Sequence, residues 1–566
     1  MPDAPRPVLS TDPATFEVVK NALLSAAEEM KIVLAKTAYS PLLKVAGDYS
    51  CGIFDDRGQM VAQGPDLPIH LRSMPDAVKA VIAAHTRFQP GDVFIHNDPY
   101  FGGSHLPDIN VIAPAFHERT LLGFTCVRAH WPDVGSATPG SYGAVTEIYG
   151  EGLRLPPVRL CTDGEMNPDV EAIIFANVRT PEERRGDLRA QIAANRRAEQ
   201  RLQALARKYG AEALLAIMQE VLDYSETMMR KALAALPDGE SSFEDFCDGD
   251  GVVEAGDTED RPFTIRMRVE KKGDTLKVDF TDTDPQVPGP MNAPLSVSKS
   301  GVLCAVKMIA DPHSLIPPNS GCWRAIEVTA AEGSVVNATL PSPVVYANHE
   351  MSHRTAEMVF GAMASFAPDN VMACSQGTSA VLTLGGVDYR TGERYVSYET
   401  IKGGFGARPN KDGINCVAST ISNTMNTPIE VLEMSFPVRV ERYEVLPDSG
   451  GAGRFRGGCG SRRVWRVLGN ETRAAVCCER TKSPPFGVLG GKAGAPARIS
   501  LVDPDGRETV LNSKGGFTAG PGSLIVFDVP GSGGYGLPSE RDRKAIEADL
   551  RDGYVTPEAA RRDYGL

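Results

Sequence analysis

The apolar positions near the N-terminus follow a helical period. They recur at steps of three and four residues, which is the spacing of one face of an α-helix: Phe16, Val19, Leu23, Ala27, Met30 and Val33. Asp12 followed by Pro13 is typical of a helix start, because the carboxylate caps free N–H groups and proline fits the first helical position. We predict a long amphipathic helix that begins at Pro13.

Two strand pairs are predicted in the same region. Apolar residues at 51–54 and 59–62 flank a polar turn at 55–58, and residues 116–128 repeat this form around 118–120. Such runs around a turn are typical of paired β-strands. The first 165 residues are therefore expected to be mixed α and β.

The pattern changes twice further along the chain. Residues 167–236 are helical in period almost throughout, with a charged segment from Pro181 and an apolar stripe over 213–236. Alternating strands follow at 242–337, a buried small-residue helix at 352–366, and Gly-rich strands in the last part of the chain. These patterns predict an α+β multidomain protein with mixed sheets, a long helical segment in the middle and a Gly-rich, β-rich C-terminal region.

The length of 566 residues requires several domains, because single hydrophobic cores stop growing at roughly 250–300 residues. We expect an α+β metal-site domain at 1–165, a helical segment at 166–240, a β-rich domain at 241–345, an α+β region at 346–440, a Gly-rich β domain at 441–538 and a helical tail at 539–566.

Composition narrows the choice of partners. The net charge of −13 disfavours nucleic acid and anionic membranes, since both need a basic surface. No apolar run is long enough for a membrane span or a signal peptide, so a cytoplasmic protein is expected. The eleven cysteines contain no CxxC pair, which favours reduced, buried thiols over a disulfide framework.

His105, Asp108 and His130 are the strongest candidates for chemistry, and they lie in Gly/Pro-rich segments. Two imidazoles and a carboxylate bind Zn²⁺, Mn²⁺ or Fe²⁺ and leave coordination positions open for water or substrate. An ordinary Asx turn explains a His-x-x-Asp spacing equally well. Asp48, at the start of a strand, is a possible fourth ligand or a turn residue.

Two further motifs are ambiguous. Residues 531–536 fit GxGxxG, but no second strand follows to complete a βαβ unit, which favours a tight glycine turn. His349, Glu350 and His353 fit HExxH, but no histidine follows to serve as a third zinc ligand. A second metal site or a substrate-facing helix start stays open for these three residues. The chain has no Walker A pattern, so it contains no recognisable nucleotide site.

Many motifs together resemble the hydantoinase B/oxoprolinase family, which includes N-methylhydantoinase B, 5-oxoprolinase, caprolactamase and acetone or acetophenone carboxylase subunits. The matching segments are 48–55, 62–63, 91–100, 102–108, His130 with Asp133, 139–141, 151–157, 292–294, 402–408, 412–413, 426–428, 448–458 and 530–536. Residues 348–354 depart from the usual family sequence, so the resemblance does not identify the substrate.

The resemblance implies a divalent metal held by His105, Asp108 and His130, with Asp48 as the fourth ligand and Zn²⁺ as the expected ion. It also implies a hetero-oligomer with a hydantoinase A/oxoprolinase-type ATPase subunit that binds ATP and Mg²⁺. The expected activity is ATP-dependent hydrolysis of a cyclic amide that the partner activates by phosphorylation. Asp133 is the candidate for orienting a ligand or handling a proton.

Two alternatives remain at this point. The same ligand set would serve a subunit of an ATP-dependent acetone or acetophenone-type carboxylase, in which the metal binds an enolate. A non-catalytic scaffold would instead use the His/Asp cluster as a metal-free structural element.

Overall fold

The computed structural model describes residues 10–64, 66–70, 73–253 and 260–566. The α-helices in these ranges are α1 Pro13–Thr37, α2 Ser73–Ala84, α3 Pro168–Ala176, α4 Pro181–Tyr209, α5 Ala211–Ala234, α6 Leu295–Ala310, α7 Ala347–Met363, α8 Ile429–Ser435, α9 Arg543–Asp552 and α10 Pro557–Tyr564.

The first sheet is antiparallel and has the strand order β2-β1-β5-β4-β3-β6-β7. Its strands are β1 Tyr49–Phe54, β2 Met60–Gln63, β3 Val93–His96, β4 Asp108–His117, β5 Thr120–His130, β6 Val158–Thr162 and β7 Glu165–Met166. Both predicted strand pairs, β1 with β2 and β4 with β5, are confirmed.

Three smaller sheets complete the fold. The second, in the order β11-β10-β9-β8, contains β8 Gly239–Cys247, β9 Phe263–Lys272, β10 Thr275–Asp279 and β11 Ile326–Thr329, of which β10 and β11 are parallel. The third, in the order β13-β12-β16-β19, contains β12 Val381–Val387, β13 Arg394–Thr400, β16 Thr472–Cys477 and β19 Lys514–Ala519. The fourth, in the order β14-β15-β20-β17-β18, contains β14 Val438–Val445, β15 Ser461–Val467, β17 Arg498–Val502, β18 Glu508–Val510 and β20 Leu524–Asp528. The predicted α+β class with mixed sheets is confirmed.

The N-terminal helix begins as predicted, because the Asp12 carboxylate accepts a hydrogen bond from the Thr15 N–H at 3.0 Å. Its apolar face shares one core with the first sheet and with α4 and α5. The charged helix α4 is also tied to the sheet by two buried amides, since Gln191 donates to the Ile109 carbonyl and Asn195 to the Val111 carbonyl. The middle helices and the first sheet thus share one core, and the six-part division of the chain stays a prediction.

The glycines near the C-terminus allow backbones to touch. A Cβ atom on Gly531 would lie 1.8 Å from the Ser449 carbonyl oxygen, and one on Gly458 would lie 2.0 Å from that of Ile414. Both distances are far below van der Waals contact. In the GxGxxG segment, which follows β20, Gly531 therefore serves close packing of the backbone against Ser449, and residues 531–534 do not form the tight turn that the sequence suggested.

Cysteine burial and membrane-spanning potential can both be assessed in the described residues. All eleven cysteines are free, and only Cys416 is not fully buried, which confirms the prediction of buried thiols. None of the described helices is both long and apolar enough to span a bilayer.

Helix α7 is buried almost entirely and begins earlier than its sequence pattern predicts. A buried ionic network fixes it to the second and third sheets. Arg354 pairs with Asp245 at 3.0 Å and with Glu479, which also pairs with Lys514. The network sets the position of the helix start, which lies at the candidate site.

We predict that Arg354→Ala destabilises the chain by about 3–5 kcal/mol, because it leaves buried carboxylates without their cation. Chemical denaturation followed by tryptophan fluorescence measures this loss. The matched control is Arg543→Ala, which removes an exposed pair with Glu547 and should change stability by less than ~0.5 kcal/mol. Equal stability of the two variants would contradict the structural role of the network.

Candidate metal centre

Strand pairing brings the predicted ligands together. Asp108 is the first residue of β4 and His130 the last of β5, and the two are direct cross-strand partners. His105 lies in the turn just before β4, where its carbonyl accepts a hydrogen bond from the Asp108 N–H at 3.1 Å. Asp48 precedes β1 on the other side of β5, and its carbonyl accepts from the His130 N–H at 3.0 Å. Four residues from three segments of the chain thus meet at one end of the sheet.

The three central side chains converge. The Asp108 Oδ1 atom lies 3.1 Å from His105 Nε2 and 3.4 Å from His130 Nδ1. One ligand atom from each of the three residues lies within 4.8 Å of the others, and all three side chains are buried. The predicted proximity of His105, Asp108 and His130 is therefore confirmed, whereas their binding of a metal stays a prediction.

Neighbouring groups orient the ligand atoms. The His105 Nδ1–H donates to the Val345 carbonyl at 2.9 Å, which leaves the Nε2 lone pair facing the cluster. The Asp108 Oδ2 atom accepts from Ser104 Oγ and, at 3.1 Å, from Asn348 Nδ2. The other carboxylate oxygen, Oδ1, is thereby left facing the two imidazoles.

Three buried atoms of the cluster have no hydrogen-bond partner within the described part of the chain: His105 Nε2, Asp108 Oδ1 and His130 Nε2. Leaving a buried polar atom unsatisfied costs about 1–3 kcal/mol. A divalent cation satisfies nitrogen and carboxylate donors of this kind together. The residues present therefore fit a divalent metal.

The electrostatic state of the cluster also suits a cation. Burial lowers the pKa of His130 to about 4, so its imidazole is neutral at physiological pH. Burial alone would raise the pKa of Asp108, but the adjacent His105 and His70 imidazoles hold it well below its usual range. Neutral imidazole and ionised carboxylate are the forms that bind metals.

Asp48 lies beside this cluster. Its burial, and secondarily the negative charge of Asp108, raise the pKa of Asp48 to about 7. The group of ligand atoms that lie within 4.8 Å of one another contains His105, Asp108 and His130 but not Asp48. The role of Asp48 as a fourth ligand stays a prediction.

Asp133 is held by other partners. Its Oδ1 atom accepts from the Arg179 guanidinium at 2.6 Å, and Oδ2 accepts from the backbone N–H groups of Arg179 and Gly135. These contacts tie the loop after β5 to the segment before α4. A catalytic role for Asp133 stays a prediction, and its observed contacts are those of a loop anchor.

Sequence reasoning missed several residues around the cluster. The Tyr398 ring lies 4.4 Å from the His130 ring, centroid to centroid. The Tyr142 hydroxyl lies 2.6 Å from His349 Nε2. His70 Nε2 lies 3.5 Å from Asp108 Oδ2 and supports that carboxylate. The HExxH motif is the signal that singles out His349, whereas a lone tyrosine carries no local signal that separates a site residue from a core residue.

The two histidines of the HExxH motif have different partners. His349 Nδ1 lies 3.1 Å from Glu350 Oε1, and His353 Nε2 lies 3.1 Å from Ser379 Oγ. Only His349 lies next to the cluster, with its ring centroid 6.1 Å from that of His105. This arrangement favours the interpretation of residues 349–353 as a site-facing helix start over that of a protease zinc site.

The fold and this site define a family. The model of the hydantoinase B/oxoprolinase family matches residues 12–538, and the chain belongs to that family.

Individual relatives extend over the whole chain. One subunit of a putative D-/L-hydantoinase from a Pseudomonas species (strain NS671) is 34% identical over 98% of this chain and 95% of its own length. The crystal structure of ATP-dependent caprolactamase from Pseudomonas jessenii superposes with a TM-score of 0.88 at 33% identity, covering 99% of this chain and 97% of that one. A nucleotide-free acetone carboxylase structure has a TM-score of 0.91 at 20% identity over 98% of this chain and 79% of that one, which shows a shared fold.

We predict that the purified chain binds about one Zn²⁺, Mn²⁺ or Fe²⁺ ion and that His105→Ala loses it, because the substitution removes one of three converging donors. Elemental analysis after growth in metal-replete medium measures the ratio. The matched control is His313→Ala, at an exposed histidine, which should keep the ion. A metal-free wild-type chain would instead support the scaffold interpretation.

Proposed function

We propose that this chain is the metal-binding subunit of an ATP-dependent cyclic-amide hydrolase. The observation that carries the proposal is the buried set of unpartnered ligand atoms on His105, Asp108 and His130. Because the chain belongs to the hydantoinase B/oxoprolinase family, we propose that its substrate is a hydantoin, 5-oxoproline or a lactam.

The chemistry explains why ATP is needed. An amide resists water because resonance stabilises its carbonyl group. Phosphorylation of the amide oxygen on the partner subunit removes that stabilisation. Water then adds to the carbon, the C–N bond breaks, and a second water releases phosphate from the resulting acyl phosphate.

The residues of this chain would hold and enclose the reacting group. A divalent ion at His105, Asp108 and His130 would supply Lewis-acid catalysis, which polarises a substrate oxygen and makes water acidic enough to lose a proton near neutral pH. Ser104, Asn348 and the Val345 carbonyl keep two of these ligands in place. The Tyr398 ring beside His130 helps to exclude bulk water, which strengthens every electrostatic interaction in the site.

We infer the open side of the site from small residual exposures. Asp48, His349 and Tyr398 keep 7%, 6% and 5% of their surface exposed, while His105 and Asp108 are fully buried. A small substrate would therefore approach the ligands between these three side chains.

An ATPase partner is part of the proposal. The hydantoinase relative is named as one subunit of its enzyme, and the caprolactamase of known structure is ATP-dependent. The present chain has no Walker A pattern. We therefore propose that a partner of the hydantoinase A/oxoprolinase type binds ATP and Mg²⁺ and forms a hetero-oligomer with this chain.

A carboxylase subunit is the second candidate. It is favoured by the acetone carboxylase structure, which has the same fold. The ligand set would be the same in both cases, so the two functions differ in the co-substrate. A carboxylase needs bicarbonate for productive ATP turnover, and a hydrolase does not.

We predict that the chain, co-purified with its ATPase partner, opens hydantoin, 5-oxoproline or caprolactam in bicarbonate-free buffer and forms ADP. Chromatography of ring-opened product and ADP measures both reactions. His105→Ala should lower ring opening roughly 100-fold or more, and His313→Ala should not change it. ATP turnover that requires bicarbonate and a ketone would support the carboxylase, and the absence of any ring opening would overturn the proposed hydrolase.

A further inference from the structure

A chain of three buried polar side chains adjoins the candidate metal centre. The Tyr142 hydroxyl lies 2.6 Å from His349 Nε2, and His349 Nδ1 lies 3.1 Å from Glu350 Oε1. A carboxylate only accepts hydrogen bonds, so His349 carries its proton on Nδ1 and accepts the Tyr142 O–H at Nε2. The three groups form one directed hydrogen-bond chain, Tyr142 to His349 to Glu350.

The surroundings hold this chain rigid. Glu350 Oε1 also accepts from the Ser379 backbone N–H at 3.1 Å, which fixes the carboxylate. The Tyr142 and His349 rings are nearly parallel, at 9°. Tyr142 and Glu350 are fully buried. A buried polar chain of this kind is costly to build unless its members are well paired.

The chain of Tyr142, His349 and Glu350 lies close to the candidate metal ligands. The His349 ring centroid lies 6.1 Å from that of His105, and the Tyr142 centroid lies 6.5 Å from that of His130. The His349 side chain keeps 7% exposure, on the side where a substrate would enter. His349 thus adjoins both the ligands and the open side of the site, and the buried Tyr142 hydroxyl meets that side at the Tyr398 hydroxyl, 3.3 Å away.

We propose that Tyr142, His349 and Glu350 form a proton relay that serves opening of the substrate ring. This inference rests on the proposed function. Tyr142 is the catalytic residue that exchanges protons with the substrate. His349 and Glu350 are positioning residues that act through it.

The relay balances the protons of the reaction. As water adds to the activated carbon, its proton passes to the Tyr142 oxygen while the phenolic proton moves to His349 Nε2. Glu350 stabilises the resulting imidazolium. The reverse transfer delivers that proton to the nitrogen of the phosphorylated imidate, which carries none, so the adduct holds an N–H group and the relay returns to its starting state. A second passage through the relay moves the proton of the adduct's new hydroxyl to the same nitrogen as the C–N bond breaks and the C=O bond of the acyl phosphate forms.

Protonation of the ring nitrogen also decides which bond breaks. The tetrahedral adduct can lose the amine, which opens the ring, or lose phosphate, which restores the cyclic amide and wastes ATP. An unprotonated amine is a poor leaving group. The relay therefore couples ATP consumption to ring opening, and its loss should uncouple them.

The test uses the complex with the ATPase partner and whichever of hydantoin, 5-oxoproline or caprolactam the wild type opens. We predict that Tyr142→Phe, His349→Gln and Glu350→Gln each lower kcat for ring opening by about 10²-fold or more, with KM and metal content unchanged. The ratio of ADP formed to ring opened should rise above that of the wild type. The control is His353→Gln on the same helix, whose imidazole contacts Ser379 instead.

The kcat of a double variant distinguishes loss of the relay from a folding defect. If the residues act as one relay, Tyr142→Phe combined with His349→Gln should be no worse than the more severe single variant. Additive losses with an unchanged ADP-to-product ratio would indicate structural damage and overturn the relay.

Other outcomes separate the relay from the proposed function. Unchanged kcat and coupling in His349→Gln and Glu350→Gln, in a complex whose wild type opens the ring, would overturn the relay alone. A wild type that opens none of the three probes would overturn the proposed function and the relay with it. A second bound ion that is lost in Cys477→Ala would also overturn the relay, because His349, Glu350 and Cys477 have ligand atoms within 4.8 Å and such an ion would replace the His349–Glu350 hydrogen bond.

Discussion

The site depends on the pairing of β4 with β5, which sets Asp108 directly opposite His130. Alternate residues of these strands point to opposite faces of the sheet. Ile109, Val111 and Val127 point into the core beneath α1 and α4, and Asp108 and His130 point to the other face. A slip of one residue would exchange the two faces, so the same apolar burial that stabilises the sheet also fixes the two ligands.

Because the site is buried, its polar ligand atoms lack hydrogen-bond partners that a bound cation would replace. The strand ends place two imidazoles and a carboxylate in a buried setting, where water does not compensate for missing hydrogen bonds. Ser104, Asn348 and the Val345 carbonyl satisfy the outer atoms of His105 and Asp108 and leave the inner ones unpartnered. The buried ionic network of Arg354 then fixes α7, which brings Asn348 and His349 to the cluster.

Sequence predicted those features whose signals are local. The helix from Pro13 was predicted because its cap and its apolar period are contiguous. The proximity of His105 and Asp108 was predicted from their spacing, and the residue types suggested the addition of His130. Tyr142 and Tyr398 could not be assigned in this way, because they come from distant segments and meet the site only in the folded chain. The HExxH motif did single out His349, but not its contact with Tyr142. The attachment of the charged helix α4 to the first sheet could not be predicted from sequence either, since the bonds of Gln191 and Asn195 to the sheet are tertiary contacts.

The central claim is that a divalent ion binds where His105, Asp108 and His130 converge. Crystals of the chain grown with Zn²⁺ or Mn²⁺, with diffraction recorded on both sides of the metal absorption edge, test it directly. We expect an anomalous peak within coordination distance of His105 Nε2 and Asp108 Oδ1 and of one His130 ring nitrogen. A peak at His349, Glu350 and Cys477 instead, or no peak at the end of β4 in metal-saturated crystals, would contradict it.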